Sequence, residues 1–77
     1  MPFNPAFTLP LELSKPMDVN VAMYDITGKM VRRISEARLE AGNYDFRVDG
    51  SDLSTGIYFV RSVIGGQVLT QKMLLVK

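Results

Sequence analysis

Residues Leu53 to Lys77 read LSTGIYFVRSVIGGQVLTQKMLLVK and predict a complete β-hairpin, around which the other strands can be arranged. The segment 57–63 is rich in β-branched and aromatic residues, which favour strands, and 68–76 predicts the returning strand. Gly65 and Gly66 lie between them and tolerate the positive φ angles of a two-residue hairpin turn. The last third of the chain is therefore expected to pair with itself.

The two-residue period of a strand sorts the side chains of this hairpin into two faces. A turn centred on the two glycines predicts the pairs Val63–Val68, Arg61–Thr70, Phe59–Lys72 and Tyr58–Met73. The predicted core face carries Tyr58, Val60, Leu69, Met73 and Leu75. The predicted outer face carries Ile57, Phe59, Arg61, Val63, Lys72, Leu74 and Val76. This outer face is apolar at one end and basic in its middle, which is unusual for a surface left to water.

Upstream of the hairpin, alternating apolar residues predict four further strands, at 7–13, 19–24, 29–35 and 43–48. Pro10 places the first of these at a sheet edge, because proline cannot donate a ladder hydrogen bond. The segment 36–41 is expected to form a loop or a single helical turn. Leu53 is expected to pack into the core and so to anchor the aspartate-rich turn that precedes it. A seventh strand is expected if the entry segment or Leu39-Glu40 pairs.

No stretch of ten residues has a helical period, so the chain predicts an all-β, antiparallel sandwich of six to seven strands. The residues expected to meet in its core are Val21, Met23, Tyr44, Phe46, Tyr58, Val60, Met73 and Leu75.

The composition excludes several classes of function. The 77 residues form one small domain without cysteine or histidine, so disulfides, thiolate metal sites and the commonest general base are absent. A net charge of +1 argues against a nucleic-acid binder that neutralises phosphates. From Leu53 onward the charged residues are Arg61, Lys72 and Lys77, without any acid. This asymmetry is either chance or a sign of an anionic partner at this end.

The aspartates at 45, 49 and 52 are the strongest candidate for a ligand site, and two interpretations are open. Asp45, Asp49 and Asp52 around Gly50 could supply oxygen ligands to calcium, but the late glutamate of a calcium loop is missing. The favoured alternative is a turn whose aspartates cap its own amides. Arg32, Arg33 and Arg38 are interpreted as a solvated strand face.

No nucleophile lies in a pattern with a base that could activate it. We therefore expect a protein that is not an enzyme, with no cofactor and no small-molecule substrate.

The C-terminal segment has two compatible interpretations. An apolar run flanked by lysines is typical of a buried last strand, and at a free C-terminus it can also serve as an accessible address tag. The residues of this candidate sorting signal are Lys72, Met73, Leu74, Leu75, Val76 and Lys77.

Taken in order, the motifs resemble one known family over essentially the whole chain. They are Pro2-Phe3-Asn4-Pro5, Tyr24-Asp25-Ile26-Thr27-Gly28-Lys29-Met30-Val31, Ala41-Gly42, Asp49-Gly50, Leu53-Ser54-Thr55-Gly56-Ile57-Tyr58-Phe59-Val60-Arg61 and the terminal Lys72–Lys77. This set is similar to the type A C-terminal sorting domain of the type IX (Por) secretion system. The positions that match its structural motif are Pro2, Asn4, Pro5, Tyr24, Asp25, Gly28, Gly42, Gly56 and Tyr58. Met1 stands where the family usually has a further Pro-Asn.

The resemblance implies an immunoglobulin-like sandwich at the C-terminus of a larger secreted cargo protein of Bacteroidetes-type, Gram-negative bacteria. The expected partners are an outer-membrane translocon and a sortase-like peptidase that removes the domain upstream of this chain and can attach the cargo to the cell surface. The cargo is expected in the periplasm in transit, and then at the cell surface or secreted. Exposed edge strands also favour a weak homodimer.

Two alternatives remain open: the structural module of flagellar hook-capping proteins, and a carbohydrate-binding accessory domain.

Overall fold

The computed structural model describes residues 2–3 and 5–77, with side chains from Pro5 onward. Seven strands and no helix are formed by these residues, which confirms the predicted all-β class. The strands are β1 (Pro2–Phe3), β2 (Ala6–Leu13), β3 (Met17–Asp25), β4 (Met30–Leu39), β5 (Gly42–Asp49), β6 (Gly56–Ile64) and β7 (Gln67–Leu75). The short β1 is the seventh strand that pairing of the entry segment would add.

The strands form two sheets that face each other. The larger sheet has the order β1-β7-β6-β3-β4, and the smaller sheet consists of β2 and β5. All neighbours are antiparallel except β1, which runs parallel to β7. Pro10 lies in a two-stranded sheet whose strands are both edges, as predicted. The arrangement is a two-sheet sandwich, in agreement with the sequence.

The β6–β7 hairpin has the register that the two glycines predicted. Val63 pairs with Val68 and Tyr58 with Met73, and the other two expected pairs are also present. The φ angles of Gly65 and Gly66 are +56° and +85°, which only glycine adopts readily at both central positions of such a turn. The hairpin is therefore set by local turn chemistry.

The core lies where the two sheets meet. Its buried residues are Phe7, Leu13, Val19, Val21, Met23, Val48, Tyr58, Val60, Met73 and Leu75. Tyr44 and Phe46, which were expected there, are only half-buried, and their rings stack with centroids 6.4 Å apart. They lie on β5, which pairs only with β2 and therefore has no neighbouring strand on its other side to cover them. Leu53 packs against the core from its loop, as predicted.

The segment 36–41, predicted as a loop or a single helical turn, differs from its prediction. The residues at 36–39 continue β4 as a strand, with Glu36 opposite Asn20 and Leu39 opposite Met17, and form no helical turn. Irregularities in the β3–β4 register lie between Val21 and Ala22 and between Met23 and Tyr24. An extra residue in one strand reverses the face of those that follow, so burial along β4 does not alternate strictly.

Leu69 is a second correction. It points to the same side of the larger sheet as Tyr58 and Val60, but 57% of its surface is exposed. A crevice between this part of β7 and β2 leaves the Leu69 side chain uncovered. The prediction was right about the side of the sheet and wrong about burial.

Candidate recognition surface

The terminal segment alternates between the core and the surface. Met73 and Leu75 are 1% and 0% exposed and belong to the core. Lys72, Leu74 and Val76 are exposed, and so is Lys77. Of the six predicted signal residues, four can therefore touch a partner, while the buried pair anchors the strand that presents them.

The exposed residues of β7 continue an apolar surface across the larger sheet. Leu74 lies opposite Ile57, and the two side chains are 40% and 37% exposed. In the next row Lys72 lies opposite Phe59, which in turn lies opposite Tyr24 on β3. This outer face carries apolar groups at the chain's end, with a basic residue beside them.

The outer face extends two strands further than the sequence indicated, across β3 to β4. Tyr24 pairs with Met30 on β4, whose side chain is 38% exposed. Sequence reasoning did not find Met30, because its position depends on the irregular register of β3 and β4. The alternation within each strand was the only available signal, and it does not say which strands are neighbours.

Lys77 contacts the loop that follows β5. Its Nζ donates a hydrogen bond to the carbonyl of Ser51, which joins the chain end to a distant turn. That turn is itself held by a hydrogen bond from the Gly50 N–H to the Pro5 carbonyl, at 2.8 Å. The position of the last lysine is thus set by tertiary structure.

Two tyrosines brace the turns that lead into their strands. The hydroxyl of Tyr58 donates to the Ser54 carbonyl at 2.6 Å, and that of Tyr44 donates to the Glu40 carbonyl at 2.7 Å. Tyr58 is 7% exposed, so its bond satisfies a polar group within the core. Tyr58, one of the family-motif residues, therefore helps to hold β6, the strand that pairs with β7.

The turn between β3 and β4 is organised by Asp25. Its Oδ1 accepts hydrogen bonds from the Thr27 hydroxyl at 2.6 Å and from the N–H groups of Thr27 and Lys29 at 2.9 and 3.1 Å. These bonds, the Thr27 hydroxyl foremost, lower the pKa of the Asp25 carboxyl below its ordinary value of 3.8. Gly28, with φ at +89°, closes the turn in a conformation that favours glycine.

The aspartates at 45, 49 and 52 are not gathered into one cluster. Asp49 accepts a hydrogen bond from the Ser51 N–H at 2.9 Å, which is the main cause of the lowered pKa of its carboxyl. Asp52 forms an ion pair with Arg32. In the described part of the chain no group of three or more acidic side chains lies close enough to hold a metal ion. The geometry agrees with a self-capping turn.

The basic cluster on β4 consists of ion-paired side chains. Arg33 pairs with Glu36, and Arg38 with Asp18 at 3.3 Å, so each arginine of the cluster has an acidic partner. Such exposed pairs typically contribute between 0 and about 1 kcal/mol each. They support the interpretation as a solvated strand face.

The remaining family-motif residues begin strands or frame turns. Pro2 lies in β1, Gly42 begins β5 and Gly56 begins β6. Asn4 lies outside the described residues. Those that the structure describes shape the sandwich that presents the outer face, and they do not converge on one site.

Comparison with known proteins gives one finding. The family model described as "Secretion system C-terminal sorting domain" matches residues 1–77, which is the whole chain. No curated protein and no solved structure matches significantly.

The residues that the structure describes include no helix long and apolar enough to cross a membrane.

Proposed function

Because the chain belongs to the family of secretion system C-terminal sorting domains, we propose that its terminal strand and outer face form the surface that the secretion machinery reads. The family is a sorting signal of type IX secretion, which exports proteins across the outer membrane to the cell surface or the medium. The finer proposal concerns which residues of this chain carry the signal. They are the exposed members of Lys72–Lys77, presented by the buried Met73 and Leu75.

One observation carries this proposal: the apolar outer face that the hairpin exposes. Ile57, Leu74 and Val76 each expose between 37% and 42% of their surface. Contiguous exposed apolar groups commonly mark a site of interaction. Since the core of the sandwich is complete without them, a partner is the simplest physical reason for their position.

The charge of this region suggests the chemistry of the partner. No acid occurs from Leu53 onward, and Arg61 and Lys72 lie on the outer face beside its apolar end. A complementary surface would combine apolar groups with carboxylates, and attraction between opposite charges would set its orientation. We propose such a surface on the outer-membrane translocon.

The remaining steps of the proposal follow the course that the family implies. The cargo crosses the periplasm with this domain attached at its C-terminus. At the cell surface a sortase-like peptidase cuts upstream of the chain, and surface attachment of the cargo can follow. The hook-capping and carbohydrate-binding alternatives predict no effect of the terminal residues on export, so one experiment separates them from this proposal.

The experiment fuses a fluorescent protein to this domain in a bacterium that has the type IX system. We expect Leu74→Ser and Lys77→Glu to retain cargo in the periplasm, because the first makes the apolar end polar and the second reverses a charge. Matched controls are Ile26→Ser, at a side chain 72% exposed in the β3–β4 turn, and Lys15→Glu between β2 and β3.

A thermal melt of each purified variant checks that it is folded. Normal export by both test variants in the folded state would place the signal elsewhere in the sandwich.

A further inference from the structure

The edges of the two sheets differ in how they are protected against pairing with another strand. β4 has an irregular register and three ion-paired arginines, β2 contains Pro10, and β5 carries exposed charges at Asp45, Arg47 and Asp49. Charges, prolines and bulges are the usual protections of an edge strand. The segment 67–71 of β7 has a regular register and contains none of them, and the first charge on this edge is Lys72, which follows it.

This unprotected segment also lacks a neighbouring strand on one side. β6 pairs with β7 along its whole length, whereas β1 reaches only Leu74 and Leu75 on the opposite side. Among the described residues, no other strand pairs with β7. β7 is thus open on this side from Gln67 to Gln71, while β1 covers only the C-terminal end of the same strand.

The hairpin turn determines which backbone groups of this edge point outward. In the two-residue turn at Gly65–Gly66, the closing pair Ile64–Gln67 is joined by the turn's hydrogen bond. Hydrogen-bonded and non-hydrogen-bonded pairs alternate along an antiparallel ladder. Val68 and Thr70 therefore direct their N–H and C=O groups away from β6, where an added strand can bond them.

The register of β1 indicates which chain segment can pair with the open edge of β7. Pro2 lies opposite Leu74 and Phe3 opposite Leu75, in parallel orientation and at a constant offset of 72 positions. A chain continued upstream of Pro2 in the same direction runs back along the open edge. At this offset, the third residue ahead of Met1 lies opposite Thr70, and the sixth lies opposite Gln67.

The space beside the edge suits alternate apolar side chains. Leu69 borders a crevice of about 180 Å³ between the sheets, whose apolar walls include Leu9, Leu11 and Val60. The second and fourth residues ahead of Met1 would lie opposite Gln71 and Leu69, on the side of the sheet that faces this crevice. Apolar groups at those two positions would cover the exposed surface of Leu69.

We propose that the chain segment immediately upstream of Pro2 extends β1 as a parallel strand along the open edge of β7. This inference rests on the proposed function, because a sorting domain at a C-terminus follows a longer chain. The edge is then closed while this upstream segment is attached, and removal of the segment opens it. The same strand, β7, carries the terminal signal on its outer face, so the upstream segment shares a strand with that signal.

The test is a register-specific disulfide in the protein extended by the residues that precede it in its parent. The chain has no cysteine, so Thr70→Cys and one cysteine at the third position ahead of Met1 form a unique pair. Opposed residues of neighbouring strands are within disulfide range, so this pair should form the bond about tenfold faster than a mismatched pair. The matched control moves the upstream cysteine to the second position, which faces the opposite side of the sheet.

Equal rates for the two pairs would overturn the proposal. Disulfide-linked dimers of the Thr70→Cys protein, in preference to the internal bond, would also overturn it and would assign the edge to a second copy of the chain.

Amide hydrogen exchange provides a second test that needs no introduced cysteines. The amides of Val68 and Thr70 should exchange about tenfold more slowly with the native upstream residues than with a glycine–serine segment of equal length, because only a paired strand protects them. Identical rates would contradict the proposal. Both measurements use purified protein without a translocon, so their failure is distinct from a failure of export.

Discussion

At the scale of single residues, Tyr58 shows how one side chain combines packing with a hydrogen bond. Its ring lies in the core, and its hydroxyl reaches the carbonyl four residues earlier in the chain, at Ser54. The ring is part of the predicted core face of the hairpin. Its polar partner lies in a loop, where strand alternation carries no information.

We expect Tyr58→Ala to lower the free energy of unfolding by about 3 to 5 kcal/mol, because it leaves a cavity in the core. Tyr58→Phe should cost about 0.5 to 1.5 kcal/mol, since it keeps the ring and removes one partly buried hydrogen bond to the Ser54 carbonyl. Urea unfolding measures both. Tyr44→Phe is the matched control and should cost less, because the bond from Tyr44 to Glu40 is exposed to water. A loss below about 1 kcal/mol for Tyr58→Ala would contradict the core assignment.

Asp25 leads to a prediction about acid stability. A carboxyl whose pKa is lowered in the folded state stabilises the fold at pH values above its ordinary pKa of 3.8. That contribution is lost as the pH falls below 3.8 and through the lowered pKa. Asp25→Asn should therefore lose less stability than the wild type between pH 7 and pH 3, as measured by thermal melts across this range.

Asp49, whose pKa is also lowered, should add to this effect, so the double asparagine variant should be less acid-sensitive still. Identical pH profiles for all three proteins would show that these turns do not contribute to acid sensitivity.

At the scale of elements, the β6–β7 hairpin is a unit defined by its own turn. Gly66→Ala should cost about 1 to 2 kcal/mol, because an L-residue is disfavoured at the φ of +85° found there. Gly56→Ala is the matched control: its φ is not in the positive region, and an added Cβ would meet its nearest neighbour at an ordinary 4.0 Å. Equilibrium unfolding in urea compares the two, and equal losses would contradict the turn assignment.

At the scale of the whole molecule, the terminal strand belongs both to the core and to the proposed signal. Deleting residues 76–77 should leave the sandwich folded, since both are exposed and follow the last strand. Deleting residues 73–77 should unfold it, because Met73 and Leu75 are core residues and replacing such a side chain by alanine alone costs about 2 to 5 kcal/mol. Circular dichroism and dispersed amide spectra distinguish the outcomes. A folded product of the longer deletion would show that the end of β7 is dispensable for the sandwich.

The features that depend on neighbouring residues could be predicted from the amino-acid sequence. The glycine pair set the hairpin register, and alternation identified the inward side of β5 and of the hairpin, because a turn and a two-residue period act within a few positions. Tertiary structure alone decided that β1 pairs with β7, that β4 continues to Leu39 and that Leu69 is exposed. Each of these depends on strands far apart in the chain. Local patterns say which side of a strand is apolar, whereas only the assembled sheets decide how much of that side is covered.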